Sequence, residues 1–203
     1  MRNILLAAVA AAAIAVPAQA ATITFEGQFN TIYNAPIVRS GFTIGNVAGD
    51  QQHFHEITST NFGLPNNGTG ILLNDRDTRI QVTDVLLATF TLGSVDVGAA
   101  TGNGPAVGLN IFGFLGAVQT GVINIASLGS GYTFVNGASL GNIDRLVFDG
   151  TGGGGGFVLD NLTLNPAGVG GIPEPSTWAL LILGFGAVGA GMRRRSATTV
   201  RYA

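Results

Sequence analysis

His53 and His55 flank Phe54, and a two-residue step along an extended chain turns both imidazoles to one face. Two neutral imidazoles so placed are ligands for a transition metal, but such a site needs further donors, and the adjacent sequence offers no recognisable set. A solvated strand or loop is the simpler reading of the pair. Further on, Asn74, Asp75 and Asp77 supply oxygen donors suited to a cation, although Asn74-Asp75-Arg76-Asp77 also reads as a plain polar turn. Gly137-Ala138-Ser139-Leu140-Gly141 has the Gly-x-Ser-x-Gly form of a nucleophile elbow, a strained strand-to-helix turn that exposes a serine. The elbow requires a helix after the serine and a histidine later in the chain. Here 143–148 reads as a strand and both histidines precede Ser139, so the pattern is read as a β-turn and the protein as a non-enzyme.

Absent residue types exclude further chemistry. The 203 residues include no Cys, which removes disulfides, thiolate zinc sites and thiol nucleophiles. They include no Lys, which removes Schiff-base chemistry and a Walker phosphate loop. Between the two chain ends, Arg39, Arg76, Arg79 and Arg145 stand against ten acidic residues, a formal charge of −6. Such a segment is repelled by nucleic acid and attracts cations or basic surfaces.

The elements that must position these residues are strands. Short β-branched or aromatic runs occur at 22–26, 87–97, 109–114, 122–125, 132–135, 143–148 and 157–164. Gly45-Asn46, Asn66-Asn67-Gly68, Gly102-Asn103-Gly104, Gly129-Ser130-Gly131 and the glycines at 152–156 read as turns between them. No window carries a helical stripe. The spacing predicts an all-β domain over 21–164, a β-sandwich of about eight strands with jelly-roll character.

Both chain ends read as addresses. Arg2, the apolar run 4–16 and Ala18-Gln19-Ala20 form a secretory signal peptide, 1–20, with cleavage expected between Ala20 and Ala21 by signal peptidase after passage through the secretory translocon. A Gly/Pro linker, 165–172, leads to Pro173-Glu174-Pro175, whose prolines hold their predecessors extended and accessible to a processing enzyme. The segment 176–192 carries no charge, and a helix of that length spans roughly 25 Å against a hydrocarbon core of ~30 Å. Arg193, Arg194 and Arg195 can snorkel to complete the span, and they orient this transmembrane helix with its C-terminus, and the tail 196–203, in the cytoplasm.

Pro173-Glu174-Pro175, Trp178-Ala179, Gly184-Phe185-Gly186 and the Arg triplet together resemble the PEP-CTERM sorting signal, here over 173–195. The resemblance implies an exosortase as partner, transient anchoring in the inner membrane with the domain outside the cytoplasm, then release to the cell surface or extracellular matrix. It also implies an association with exopolysaccharide and biofilm. The runs Phe90-Thr91-Leu92, Ser94 to Val97, Asn110 to Gly113, 143–148 and 157–162 are similar in texture to galactose-binding-like jelly rolls. In that family, acidic side chains from the first and last strands often hold a structural Ca²⁺, which points to Glu26 and Asp160 as metal ligands, the plainer reading being a solvated strand end and a turn-facing residue. Together these features predict a noncatalytic structural or adhesive surface protein, with a carbohydrate-binding module as the alternative. The usual aromatic sugar platform is sparse: the single Trp is Trp178 in the tail, and Tyr33 and Tyr132 are the tyrosines of 21–164.

Overall fold

A computed structural model describes residues 20–26, 30–58, 64–65, 69–100, 104–166 and 184–185. The expected signal peptide lies outside the described residues except for Ala20. So do the linker beyond Pro166, the motif residues 173–179, the Arg triplet and the tail. Gly184 and Phe185 are helical and exposed. Among the described residues no helix is long and apolar enough to cross a membrane.

The compact unit Ala18–Gly168 is a sandwich of two antiparallel sheets. Its strands are β1 (Ala21–Ile23), β2 (Thr31–Tyr33), β3 (Ile37–Arg39), β4 (Phe42–Asn46), β5 (Phe54–Ile57), β6 (Ile71–Asn74) and β7 (Ile80–Asp84) in the first half. The second half contributes β8 (Phe90–Ala99), β9 (Gly108–Leu115), β10 (Val118–Ile125), β11 (Thr133–Asn136), β12 (Arg145–Thr151) and β13 (Phe157–Pro166). One sheet has the order β11-β8-β13-β6-β5-β2, with β1 also on β13; the other has the order β10-β9-β12-β7-β4-β3. The chain changes sheet at most connections from β3 onward, so neighbours in space are seldom neighbours in sequence.

The interior follows from period-two alternation. Phe42 and Ile44 on β4, Ile80 and Val82 on β7, Leu109 and Ile111 on β9, and Leu146 and Phe148 on β12 meet Phe54, Leu72, Phe90, Leu92, Phe157 and Leu159 of the other sheet. On β8 the buried positions run Phe90, Leu92, Val95, Val97, and on β13 Phe157, Leu159, Leu162, Leu164. Both strands change phase at one place, where their pairing is irregular between Asp160 and Leu164 and Asn161 takes φ 47°. A matched bulge of this kind keeps both apolar sets inward.

The central strands of the first sheet are covered on their outer face as well. Ile57, Ile71, Leu73 and Val158 form a second apolar cluster with Leu64 and Ala100, against which Tyr132 packs. This double burial explains β6, an unbroken apolar run with no alternation to announce it.

Several expectations are corrected. Strands β2 to β7 fall in a stretch, 27–86, where the periodicity marks none, and the described strands number thirteen rather than about eight. Gly45-Asn46 is the end of β4, not a turn, because the buried Asn46 amide is satisfied by donors and acceptors of other segments. Strand 22–26 ends at Ile23, with Phe25 at φ 54° and Glu26 in a turn. The run from Leu87 begins as a strand only at Phe90, since Leu87 takes φ 57° in the preceding turn. Gly116-Ala117 is a two-residue hairpin loop joining β9 to β10, with Gly116 at φ 60°.

Candidate functional site

His55 lies on β5 and His53 just before it, and their rings meet edge to face with centroids 4.9 Å apart. Antiparallel pairing sets His55 opposite Leu73, so continuing the same register two residues outward sets His53 opposite Asp75. The third donor absent from the adjacent sequence therefore comes from the end of β6. His53 Nε2 is 3.5 Å from Asp75 Oδ1, His55 Nε2 is 3.3 Å from Asp75 Oδ2, and the two Nε2 atoms are 3.1 Å apart. Both histidine side chains are largely buried, and burial holds the His55 imidazole below its ordinary pKa, against the pull of the Asp75 charge. Asp75 Oδ1 is buried and accepts no hydrogen bond.

Two buried amides hold the backbone around this group. Asn46, at the end of β4, accepts the His53 N–H on Oδ1 (2.8 Å) and donates from Nδ2 to Thr78 Oγ1 (2.9 Å). Asn74 donates from Nδ2 to the Thr78 carbonyl and accepts from Thr78 Oγ1 (2.8 Å), closing the turn that carries Asp75. Asn74-Asp75-Arg76-Asp77 is thus a polar turn whose first residue anchors it and whose second faces the imidazoles. Beside it lies a polar cleft of about 570 Å³ lined by Asp50, Gln51, Asp75, Arg76, Asp77, Thr78 and Gly154. Arg76 donates to Gln51 Oε1 (3.3 Å) across its edge.

Glu26 and Asp160 come to adjoining residues of one segment. Glu26 Oε1 accepts the Gly70 N–H (3.2 Å), and Asp160 Oδ2 accepts from Thr69 Oγ1 (2.7 Å). Glu26 is exposed, whereas Asp160 is fully buried on β13 and accepts the Asn161 N–H on Oδ1 (2.7 Å). Tyr132 has its hydroxyl pKa raised, first by burial and then by the charges of Asp160 and Asp96. Glu26 and Asp160 thus offer carboxylate oxygens, the donor type that Ca²⁺ takes, to neighbouring residues of one segment.

Ser139 is exposed in a one-turn 3-10 helix, Ala138–Leu140, between β11 and β12. The histidine rings face Asp75, and the glycine before this turn has a packing role: a Cβ on Gly137 would stand 2.2 Å from Leu92 Cγ.

At the other end of the chain the decisive observation is one of sequence. Residues 171–195 match the PEP-CTERM protein-sorting motif. The PEP-CTERM segment contains Pro173, Glu174, Pro175, Trp178, Ala179 and the triplet Arg193 to Arg195, and a PEP-CTERM motif implies export, membrane anchoring and processing by an exosortase. No curated protein matches the chain. Among solved structures, it is similar to the N-terminal modules of Clostridium thermocellum xylanase 10B complexed with xylohexaose, at 15% identity and TM-score 0.41; the match covers 73% of this chain and 28% of that one. It is also similar to the family 32 carbohydrate-binding module of C. perfringens NanJ in complex with galactose (14%, TM-score 0.38, 64% of this chain and 96% of that one). A third similar structure is a family 29 carbohydrate-binding module from Piromyces equi (13%, TM-score 0.39, 78% and 98%).

Proposed function

We propose that this protein is a noncatalytic structural or adhesive component of the cell surface or extracellular matrix, exported by its signal peptide and released from the inner membrane by an exosortase. The match of 171–195 to the sorting motif carries this reading. Pro173-Glu174-Pro175 is the processing site, 176–192 the transient anchor, and Arg193 to Arg195 the stop that keeps the C-terminus in the cytoplasm. Association with exopolysaccharide follows from the same address. The test is the intact mass of the protein from membrane, surface and medium fractions of a host with and without an exosortase. A surface species beginning at Ala21 and ending near Pro173 to Pro175, lost without the exosortase, is the expected result; a chain kept through Ala203 in every fraction refutes it.

The polar cleft beside Asp75 favours a second reading, a carbohydrate-binding module that grips its glycan by hydrogen bonds from loops. Asp50, Gln51, Asp77 and Thr78 offer donors and acceptors there without an aromatic platform. Saturable binding of an exopolysaccharide fragment that is weakened by Gln51→Ala supports this reading, and its absence leaves the structural role. The convergence of Glu26 and Asp160 on Thr69-Gly70 supports a structural Ca²⁺ that ties the start of the domain to its last strand.

A further inference from the structure

We propose that His53, His55 and Asp75 bind a divalent transition-metal ion of the zinc class.

Each pair among the three groups approaches within 3.5 Å: the two Nε2 atoms, and each Nε2 with its own Asp75 oxygen. If both Nε2 atoms carry a proton, two N–H groups point at one another. If one does, the other nitrogen turns its lone pair to a carboxylate oxygen. If neither does, lone pairs meet at every contact. With Asp75 ionised, no distribution of protons over the two Nε2 atoms satisfies all three approaches, whereas a cation between the groups accepts every lone pair at once. The buried Asp75 Oδ1 accepts no hydrogen bond, so its lone pairs are available to a cation.

Bonds of about 2.0–2.1 Å put neighbouring ligand atoms about 3.0 Å apart in an octahedral set and about 3.4 Å apart in a tetrahedral one; the two Nε2 atoms are 3.1 Å apart, and each lies 3.3 or 3.5 Å from a different oxygen of Asp75, either of which can be the third donor. Two imidazole nitrogens with one carboxylate favour zinc and its transition-metal neighbours over Ca²⁺ or Mg²⁺, which take oxygen. Three protein donors leave a tetrahedral ion one position for water.

Asn46 fixes the His53 backbone and Asn74 fixes the turn bearing Asp75, so the donors are held by a buried polar frame before any ion arrives. The ion would cross-link β5 to the end of β6 on the outer face of the first sheet.

The chain makes the test unusually clean, because His53 and His55 are its only histidines and it has no cysteine. Untagged full-length protein, freed of metal by chelation and dialysis, is titrated with Zn²⁺ in excess Ca²⁺ by calorimetry. The same preparation loaded with one equivalent of Cu²⁺ is examined by electron paramagnetic resonance. We expect one bound equivalent, a melting temperature that rises with Zn²⁺ as binding to the folded state requires, and splitting from two imidazole nitrogens. His55→Gln and Asp75→Asn each weaken Zn²⁺ binding at least tenfold, while Asn124→Ala, on β10 of the other sheet, leaves it unchanged. The proposal is overturned if wild-type protein binds no Zn²⁺ saturably, if the Cu²⁺ spectrum lacks imidazole nitrogen, or if His55→Gln and Asp75→Asn bind as tightly as wild type.

Discussion

Arg39 and Glu56 tie the two sheets together through one buried charge pair. Glu56, on β5, is fully buried, and Arg39, at the end of β3, reaches it in a fork: Nε to Oε1 at 3.0 Å and Nη2 to Oε2 at 2.8 Å. Tyr33 adds a third hydrogen bond at 2.9 Å, and the Glu56 bond holds the Arg39 guanidinium pKa above its usual value. Removing Arg39 leaves the fully buried Glu56 carboxylate without its cation. Arg39→Ala should therefore lower the unfolding free energy by about 3 kcal/mol in denaturant titration, while Arg39→Met with Glu56→Leu recovers most of that loss. Equal destabilisation by the single and double variants would show that packing, and not the stranded carboxylate, sets the cost. From sequence Arg39 enters only as one of four positive charges. The others are also engaged: Arg79 by Asp50, Arg76 by Gln51, and Arg145 over the Phe114 ring.

At the scale of elements, β12 carries a charge the fold resists. Burial raises the Asp149 carboxyl pKa, Arg79 opposes the rise, and Asp77 and Asp50 add to it. With a folded pKa above 3.8, the native state holds more protons than the unfolded state between the two values, so this group's contribution falls as pH rises through that interval. Asp149→Asn should then raise the melting temperature at pH 7, with the gain fading as pH falls through the folded pKa and gone below 3.8. A gain that persists undiminished at pH 3 would place its origin outside the titration. The elements themselves were legible where alternation is clean, as in β8, β9, β12 and β13, and illegible where it is not. β6 is buried on both faces and β4 ends in a Gly-Asn pair that local chemistry assigns to a turn. The Gly-x-Ser-x-Gly pattern was readable as a non-elbow from chain order alone; that Gly137 is required by Leu92 was not.

Over the whole molecule, the two ends of the sandwich leave from adjacent strands. Ala21 pairs with Leu164, so the expected signal cleavage point and the chain leading to the sorting motif attach at one pole. A Ca²⁺ shared by Glu26 and Asp160 would brace this terminal pair. Chelation should lower the melting temperature of the processed domain by several degrees, and added Ca²⁺ should raise it again in wild type but not in Glu26→Ala. An unchanged melting temperature on chelation in both wild type and Glu26→Ala rules the brace out.

Sequence alone determined the sorting address and the excluded chemistries. The PEP-CTERM signal is a contiguous segment, legible without tertiary contacts, and a chain without Cys or Lys lacks their chemistry however it folds. It also determined that the domain is built from strands, because period-two alternation is a local property. Tertiary structure decided which residues meet. Asp75 joins His53 and His55, Glu56 meets Arg39, and Asp160 reaches Thr69 through strand register and the packing of two sheets. Those relations depend on pairings between distant segments, and no local spacing encodes them.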